Sequence, residues 1–367
     1  MKEVIVHPLL EQWTSIIESP IPTPGPDEIV IKVITAASNP KDYEHLLSSG
    51  QTINSGDDVA GTVHSLGESV KRTEEFRIGD KVAGMHEMMT PGGAYAEYAV
   101  VKTGTTLRVP EKMSFEEAAT IPLTLTTAAL TLFRRQNLPP SWTPRSDSAP
   151  PLPLIVYGAS SSLGTFAVKL AKASNIHPII AIAGSSTSHL LPLLDEARGD
   201  ALVDYRGGSE KMIEEVRMKL GGLEASNALD AITSRGTWVP ISKILAPSKP
   251  SLPSYLSVVS GANKYDEPDI QNGVKVVYTY VGTAHSGKYR ERMPMQPENL
   301  EDVRNDPEWV WLFSRYAAKM LVEGKLTGHP YEVVEGGLEG VEKGLKGLQE
   351  GKAKGVKFVY RIASSAD

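Results

Sequence analysis

The stretch LIVYGASSSLGTFAVKLAK, Leu154 to Lys172, runs from an apolar segment through small residues into a helical pattern. A strand, a tight turn and a helix N-terminus leave unpaired backbone N–H groups pointing outward, which is a ready site for an anion. Three chemistries use such a turn. A phosphate-cradling P-loop needs four residues between its glycines and then a Lys, whereas five separate Gly158 from Gly164 and Thr165 follows. A hydrolase elbow needs G-x-S-x-G, and Ser162 stands where the closing Gly must permit close packing. The dinucleotide fingerprint wants a small residue at the turn, one facing the pyrophosphate and one where helix meets sheet. Gly158, Ser161 and Gly164 hold those places, with the middle Gly replaced. From the turn alone, a dinucleotide site and an ordinary strand-to-helix turn are equally good readings.

The segment AIAGSSTSHL sharpens the first reading. No Asp or Glu occurs from Ala183 to Ser188. An NAD site places a carboxylate at this strand end to accept from the ribose 2′-OH, and an NADP site avoids that charge. NADP(H) is therefore expected. Ser185 and Ser186 are candidate donors to the 2′-phosphate, although serines capping a helix look the same. Tyr205 and Arg206 could cover the adenine end, or form a solvated turn.

Other reactive side chains are sparse. There is no Cys, which removes disulfides, thiolate zinc sites, iron–sulfur clusters and thiol nucleophiles. The eight His are scattered without an H-x-x-x-H pair. Asp57 and Asp58 could form a hard-metal pair, but adjacent carboxylates at a strand start read better as turn caps. No metal site is expected. The basic run Lys288, Arg290 and Arg292 could grip a phosphopantetheine or carrier protein, with a solvated loop the plainer reading.

These residues need a scaffold, and 367 residues exceed what one core usually serves. Before Pro110, short apolar strands alternate with turns (IVIKVITAASNP, DDVAGTVHSLG, GDKVAG, AYAEYAVV), a β-rich, barrel-like texture. Helical patterning spans Phe115 to Arg135, and the Pro-rich stretch Asn137 to Pro153 reads as a surface loop. Strands and helices then alternate: LIVYG, a helix to about Ser174, IIAIAG, a helix over 190–197, ALVDY, a helix over 210–220, then ALDAI, YLSVVSG and VKVVYTYVG. Such alternation predicts a doubly wound parallel sheet. A helix from Trp309 and the strand VKFVYRI close the chain. A net charge of −6 with no long Lys/Arg run argues against nucleic acid. The least polar stretch, Ala118 to Phe133, holds five Thr and a Pro, too polar for a membrane span, and MKEVIVHPLLEQW does not read as a secretory signal. A cytoplasmic protein is expected.

The ordered set SNPKDY, GDDVAG, IGDKVAG, GGAYAEYAVV, the fingerprint, VDYR and the long tail GHPYEVVEGGLEGVEKGLKGLQEGKAKGVKFVYRI resembles the medium-chain dehydrogenase/reductase superfamily. Within it, the zinc-free quinone oxidoreductase and enoyl reductase branch is the nearest, with the fungal trans-acting polyketide enoyl reductases. The resemblance implies a GroES-like catalytic domain of the β-barrel type plus a Rossmann cofactor domain, an α/β fold. The boundaries expected are 1–126 and 306–367 for the catalytic domain and 127–305 for the cofactor domain, with the active site in the cleft between them. In zinc-dependent relatives GHE supplies a metal-ligand His, and Gly56-Asp57-Asp58 stands in its place.

The resemblance also assigns residues. Gly158, Ser160, Ser161, Ser162, Leu163 and Gly164 would hold the pyrophosphate. Ser185, Ser186 and Tyr205 would meet the adenosine end, and Val281, Gly282 and Thr283 would line the nicotinamide. Thr127 matches a Thr beside the nicotinamide carboxamide, and Asn39, Tyr43 and Glu44 fall in the substrate-side segment. Relatives carry Lys or Tyr where this chain has Glu44, which leaves the proton donor open among Lys41, Tyr43, His45 and water. The Ser161 hydroxyl would donate a compensating hydrogen bond to the cofactor. The expected function is an NADPH-dependent, zinc-independent reductase of the C=C of free enones and enals, or of quinones. Its alternatives are a trans-acting enoyl reductase on a carrier-tethered polyketide and a non-catalytic NADPH-binding protein. Monomer and sheet-edge homodimer are both open.

Overall fold

The computed structural model describes residues 1–249, 253–290 and 302–363. The chain separates into two compact units. The first comprises Met1–Thr124, Ala284–Gly287 and Asn305–Asp367, and the second Leu125–Thr283 and Lys288–Arg304. The short segment 284–287, placed with the cofactor domain by sequence, groups with the first unit.

The first unit is β-rich because its apolar residues alternate or run in β-branched blocks. Strands β1 (Lys2–Val6) and β2 (Thr14–Glu18) pair as an antiparallel hairpin. A larger sheet follows the order β14-β15-β3-β4-β5-β7, with β6 on β3. Its members are β3 (Glu28–Ala37), β4 (Asp58–Leu66), β5 (Lys81–Met85), β6 (Tyr98–Lys102), β7 (Thr106–Arg108), β14 (Tyr331–Val333) and β15 (Lys357–Arg361). Helices α1 (Lys41–Ser49), α2 (Glu68–Thr73), α3 (Phe115–Ala119), α9 (Asp306–Val322) and α10 (Val341–Gln349) also belong to this unit. The fully buried Ile29, Ile31, Tyr95 and Tyr360 lie at the centre of the core.

The second unit carries a six-stranded sheet in the order β10-β9-β8-β11-β12-β13, all parallel. The strands are β8 (Leu154–Tyr157), β9 (Ile179–Ala183), β10 (Ala201–Asp204), β11 (Asn227–Asp230), β12 (Ser254–Val258) and β13 (Val274–Tyr278). Strand order reverses between β8 and β11, and such a switch point is where open α/β sheets bind ligands. The β9 and β8 strands read IIAIA and LIVY, runs apolar on both faces as an inner parallel strand requires. VKVVYTYVG supplies β13, an edge strand. Helices α5 (Ser162–Ala173), α6 (Ser209–Leu220) and α7 (Trp238–Ser242) connect the strands, while α4 (Pro122–Ala129) and α8 (Thr283–Ser286) each contain a unit boundary.

Two expectations are corrected. The single helix over 115–135 is three pieces: α3 ends before Thr120, α4 begins at Pro122, and Leu130–Arg135 is π-helical. Pro122 supplies the break, since it has no N–H and sits well only in a helix's first turn. The helix over 190–197 is absent, replaced by single 3₁₀ turns at Leu191–Leu193 and Glu196–Arg198. Leu194 and Asp195 are extended between the two turns, which interrupts the ladder.

Gln136, at the end of the π-helical segment, anchors it to the middle of the sheet. Its Nε2 donates to the Ala228 carbonyl and to Ser257 Oγ, both at 2.8 Å, and its Oε1 accepts from Asn227 Nδ2 at 3.2 Å. All these groups are buried. Gln136→Leu should therefore orphan them and cost about 2–4 kcal/mol, measured as a fall in the urea midpoint with unchanged m-value.

Candidate functional site

In the cofactor turn, Gly158 adopts φ +72°, and a Cβ there would meet Ile232 Cγ1 at 2.5 Å. A Cβ on Gly164 would come within 2.3 Å of the Gly158 carbonyl oxygen and 2.6 Å of Ala159 Cα. Both positions are therefore closed to a side chain, and the first turn of α5 packs directly on the end of β8. This cradle fits a dinucleotide pyrophosphate: backbone N–H groups of the helix start are brought to the sheet's carboxyl end, and small residues clear the approach.

Ser161 is the N-cap of α5, its hydroxyl accepting from the Gly164 N–H at 3.0 Å. That bond occupies one helix-start donor, while the Ser161 hydroxyl proton stays available for a phosphate oxygen. Ser160 and Ser162 are half-buried beside it, and Leu163 is buried. Thr165 donates from Oγ1 to the Ala159 carbonyl, and His189 Nε2 lies 3.1 Å from Thr165 Oγ1. His189 was not singled out by sequence, since its approach to α5 spans 24 positions. Burial, then Lys169, lowers its pKa, so the ring beside the turn is neutral at pH 7.

Beyond β9, Ser185 is exposed and Ser186 half-buried, and neither hydroxyl bonds another described residue. Because the expected helix after them is absent, they cap none, which leaves them as polar groups at the strand end. The Tyr205 ring lies across Gly184, where a Cβ would sit 3.3 Å from its hydroxyl, and 5.6 Å from the Tyr157 ring. Arg206 is committed to Asp204 through a two-pronged exposed pair with a 2.6 Å contact, which weakens it as an adenosine ligand. Of the nicotinamide-side residues, Val281 and Thr283 are buried. Thr283 Oγ1 donates to the Tyr280 carbonyl at 2.9 Å and accepts from Arg135 at 3.3 Å. A Cβ on Gly282 would strike the Tyr280 ring at 2.5 Å. Thr127 is buried on α4. Lys288 is exposed and Arg290 half-buried, while Arg292 lies outside the described residues.

In the first unit, the substrate-side residues separate. Asn39 is buried and donates from Nδ2 to Asp58 Oδ2 at 2.7 Å. Tyr43 packs its ring against Trp13, centroids 5.8 Å apart, and burial followed by Glu44 pushes its hydroxyl up to about 12. Glu44 is an exposed residue of α1, its carboxyl raised by partial desolvation and then by Asp42. Asp57 and Asp58 are not turn caps. Both are fully buried, Asp57 against Lys41 and Asp58 against Lys357 at 2.5 Å. The lysine partners had no sequence signal, Lys357 being 299 positions away. Among the described residues no three His, Asp or Glu are grouped to hold a metal ion, and no helix is long and apolar enough to cross a membrane.

Known proteins share this architecture. Residues 25–111 match the alcohol dehydrogenase GroES-like domain. The trans-enoyl reductase fsr4 of Gibberella fujikuroi is 38% identical over 342 residues, covering 93% of this chain and 92% of that protein. The trans-enoyl reductase resD of Aspergillus sclerotiorum is 30% identical over 369 residues, covering 94% and 96%. The quinone oxidoreductase from Coxiella burnetii superposes with a TM-score of 0.68 over 99% of both chains at 18% identity, a likeness of fold. The GroES-like unit and the Rossmann sheet expected from sequence are borne out.

Gly164→Ala should weaken NAD(P)H binding at least about tenfold, because backbone, which cannot swing away, blocks the new methyl. Quenching of intrinsic fluorescence on addition of the reduced dinucleotide measures it.

Proposed function

We propose, from the premise that the chain belongs to the trans-enoyl reductase family of the medium-chain dehydrogenase/reductase superfamily, that it reduces the C=C of an enoyl thioester carried on a partner's phosphopantetheine arm. The chain is accordingly an oxidoreductase of the enoyl reductase type, dependent on NAD(P)H. The end-to-end match to two trans-enoyl reductases carries this reading. It reverses the order of the sequence expectations, in which free enones, enals and quinones came first. The partner is a carrier protein of polyketide assembly, and the cofactor is NADPH.

When bound, the nicotinamide supplies a hydride for the β-carbon of the conjugated thioester. The chain's own residues do the rest. Backbone N–H groups after Gly158 hold the pyrophosphate against α5, and the Ser161 hydroxyl adds a donor. Ser185 and Ser186 receive the 2′-phosphate at a strand end without a carboxylate, with the Tyr205 ring alongside. The absence of like charge there supports NADPH over NADH. Thr127 and the segment Val281 to Thr283 orient the nicotinamide ring.

Two measurements test the reading. NADPH oxidation should be at least about tenfold more efficient with enoyl pantetheine thioesters than with free 2-alkenals or quinones. Preference for free acceptors returns the standalone reductase, and NADPH binding without any turnover returns the non-catalytic reading. Ser185→Asp should raise the NADPH dissociation constant at least about tenfold while leaving NADH within about twofold, as like charge meets the 2′-phosphate.

A further inference from the structure

Strand β2 of the first unit is bonded to β1 along one edge and open along the other. The bonds around β1 show which residues face which way. Lys2 accepts from the Glu97 N–H, while Val4 and Val6 donate to the Tyr95 and Ile53 carbonyls, so all three turn away from β2. Opposite them stand Glu18, Ile16 and Thr14. In an antiparallel pair such opposed residues both point outward, so the free edge of β2 presents the N–H and carbonyl of Thr14, Ile16 and Glu18.

Thr14 is already satisfied. Its N–H donates to Glu342 Oε2 at 3.2 Å, and its carbonyl accepts from Gln12 Nε2 at 3.1 Å. Among the described residues nothing bonds the outward N–H and carbonyl of Ile16 or Glu18. Beyond them Pro20 has no N–H to offer. The open edge is therefore two residues, bounded by a capped threonine at one end and a proline at the other. Edge strands usually blunt such groups with Lys, Pro, a bulge or a covering element. From Ser15 to Ser19 none of these protects β2. Its register with β1 is regular, Ile16 and Ile17 are each 41% exposed, and its one charge, Glu18, stands opposite Lys2.

A strand that covers this edge must offer two outward residues separated by one, and no donor opposite Thr14. The segment Ile16–Pro20 is itself such a strand. We infer that β2 pairs antiparallel with β2 of a second copy about a two-fold axis at Ile17, so that Ile16 meets the second copy's Glu18 and the two Ile17 side chains meet each other. Hydrogen bonding selects this register. An axis at Ile16 would set Glu18 against the capped Thr14, and one at Glu18 would set Ile16 against Pro20, each leaving a single bonded pair where the axis at Ile17 makes two. Thr14 then faces Pro20, and neither is left wanting a partner. The Ile17 residues form a non-hydrogen-bonded pair, the kind whose side chains approach most closely. Two hairpins become one four-stranded antiparallel sheet through a self-complementary contact. So short a contact belongs with weak, reversible interfaces. It involves the first unit alone, and it is independent of what the enzyme reduces.

Sedimentation of the wild type from about 5 to 200 µM should show a reversible monomer–dimer equilibrium. Ile17→Lys, which sets two ammonium groups face to face, should raise the dimer dissociation constant at least about tenfold and leave the thermal midpoint of the dilute protein unchanged. The chain has no Cys, so one introduced thiol reports the register. Ile17→Cys puts the thiols on directly opposed residues, with Cα atoms about 4.5 Å apart and within disulfide reach. Ile16→Cys puts them diagonally across the pair, about 7–8 Å apart and out of reach. Under mild oxidation the first variant should form a covalent dimer at least about tenfold faster than the second. Three results each overturn the inference: a wild type that stays monomeric at about 200 µM, a dimer equally strong in Ile17→Lys, as one built on β13 would be, or equal cross-linking of the two thiols.

Discussion

The first unit is closed by one buried carboxylate. Asp58, at the start of β4, accepts from Lys357 on β15, from Asn39 ahead of α1, and from the Leu123 N–H in the first turn of α4. It therefore ties together strands distant in sequence and acts as a remote cap for the start of α4. Deleting one partner of such a pair typically costs about 3–5 kcal/mol, because the other charge stays buried. The same arrangement fixes Asn39 and hence the start of α1, from which Lys41 meets its two aspartates. Position and charge in this region descend from one contact.

The turn between β8 and α5 has a different construction, one that would bring backbone close to an anion. Gly158 and Gly164 do so by lacking a Cβ, and the structure leaves no room to replace either. Ser161 shows that the middle position is more tolerant. Its side chain folds back onto the Gly164 N–H and becomes part of the helix start rather than an obstruction. The side chain exchanges one backbone donor for one hydroxyl donor, so the turn keeps its number of donors.

What was legible in the sequence was what repeats locally. LIVY and IIAIA announce inner parallel strands because both faces are apolar, and the spacing from Gly158 to Gly164 announces the turn. Two places mark where that legibility failed. Pro122 starts a new helix inside an apparently continuous pattern, and extended backbone at Leu194 and Asp195 divides the helix that the leucines before them suggest. The ionic cluster was invisible for another reason. Lys41, Asp57 and Lys357 are ordinary surface residue types, and Lys357 meets Asp58 only once β15 has joined the sheet beside β3, a tertiary event with no local signature. Tyr43 likewise looked like a reactive group and is held in the core by Trp13.

The position of β15 has a consequence for how the protein is made. A ribosome delivers Leu125–Thr283, nearly all of the parallel-sheet unit, in one uninterrupted stretch that can fold as it emerges. The first unit begins earlier and finishes later. Until residues 357–361 leave the exit tunnel, β3 has β4 on one side over Thr35–Ala37 and no partner on the other, and Asp58 lacks its counter-ion. For most of translation the nascent chain carries an unsealed β edge beside an unneutralised charge, a state that exposes pairing groups while discouraging apolar collapse around them. The half begun first is the half completed last.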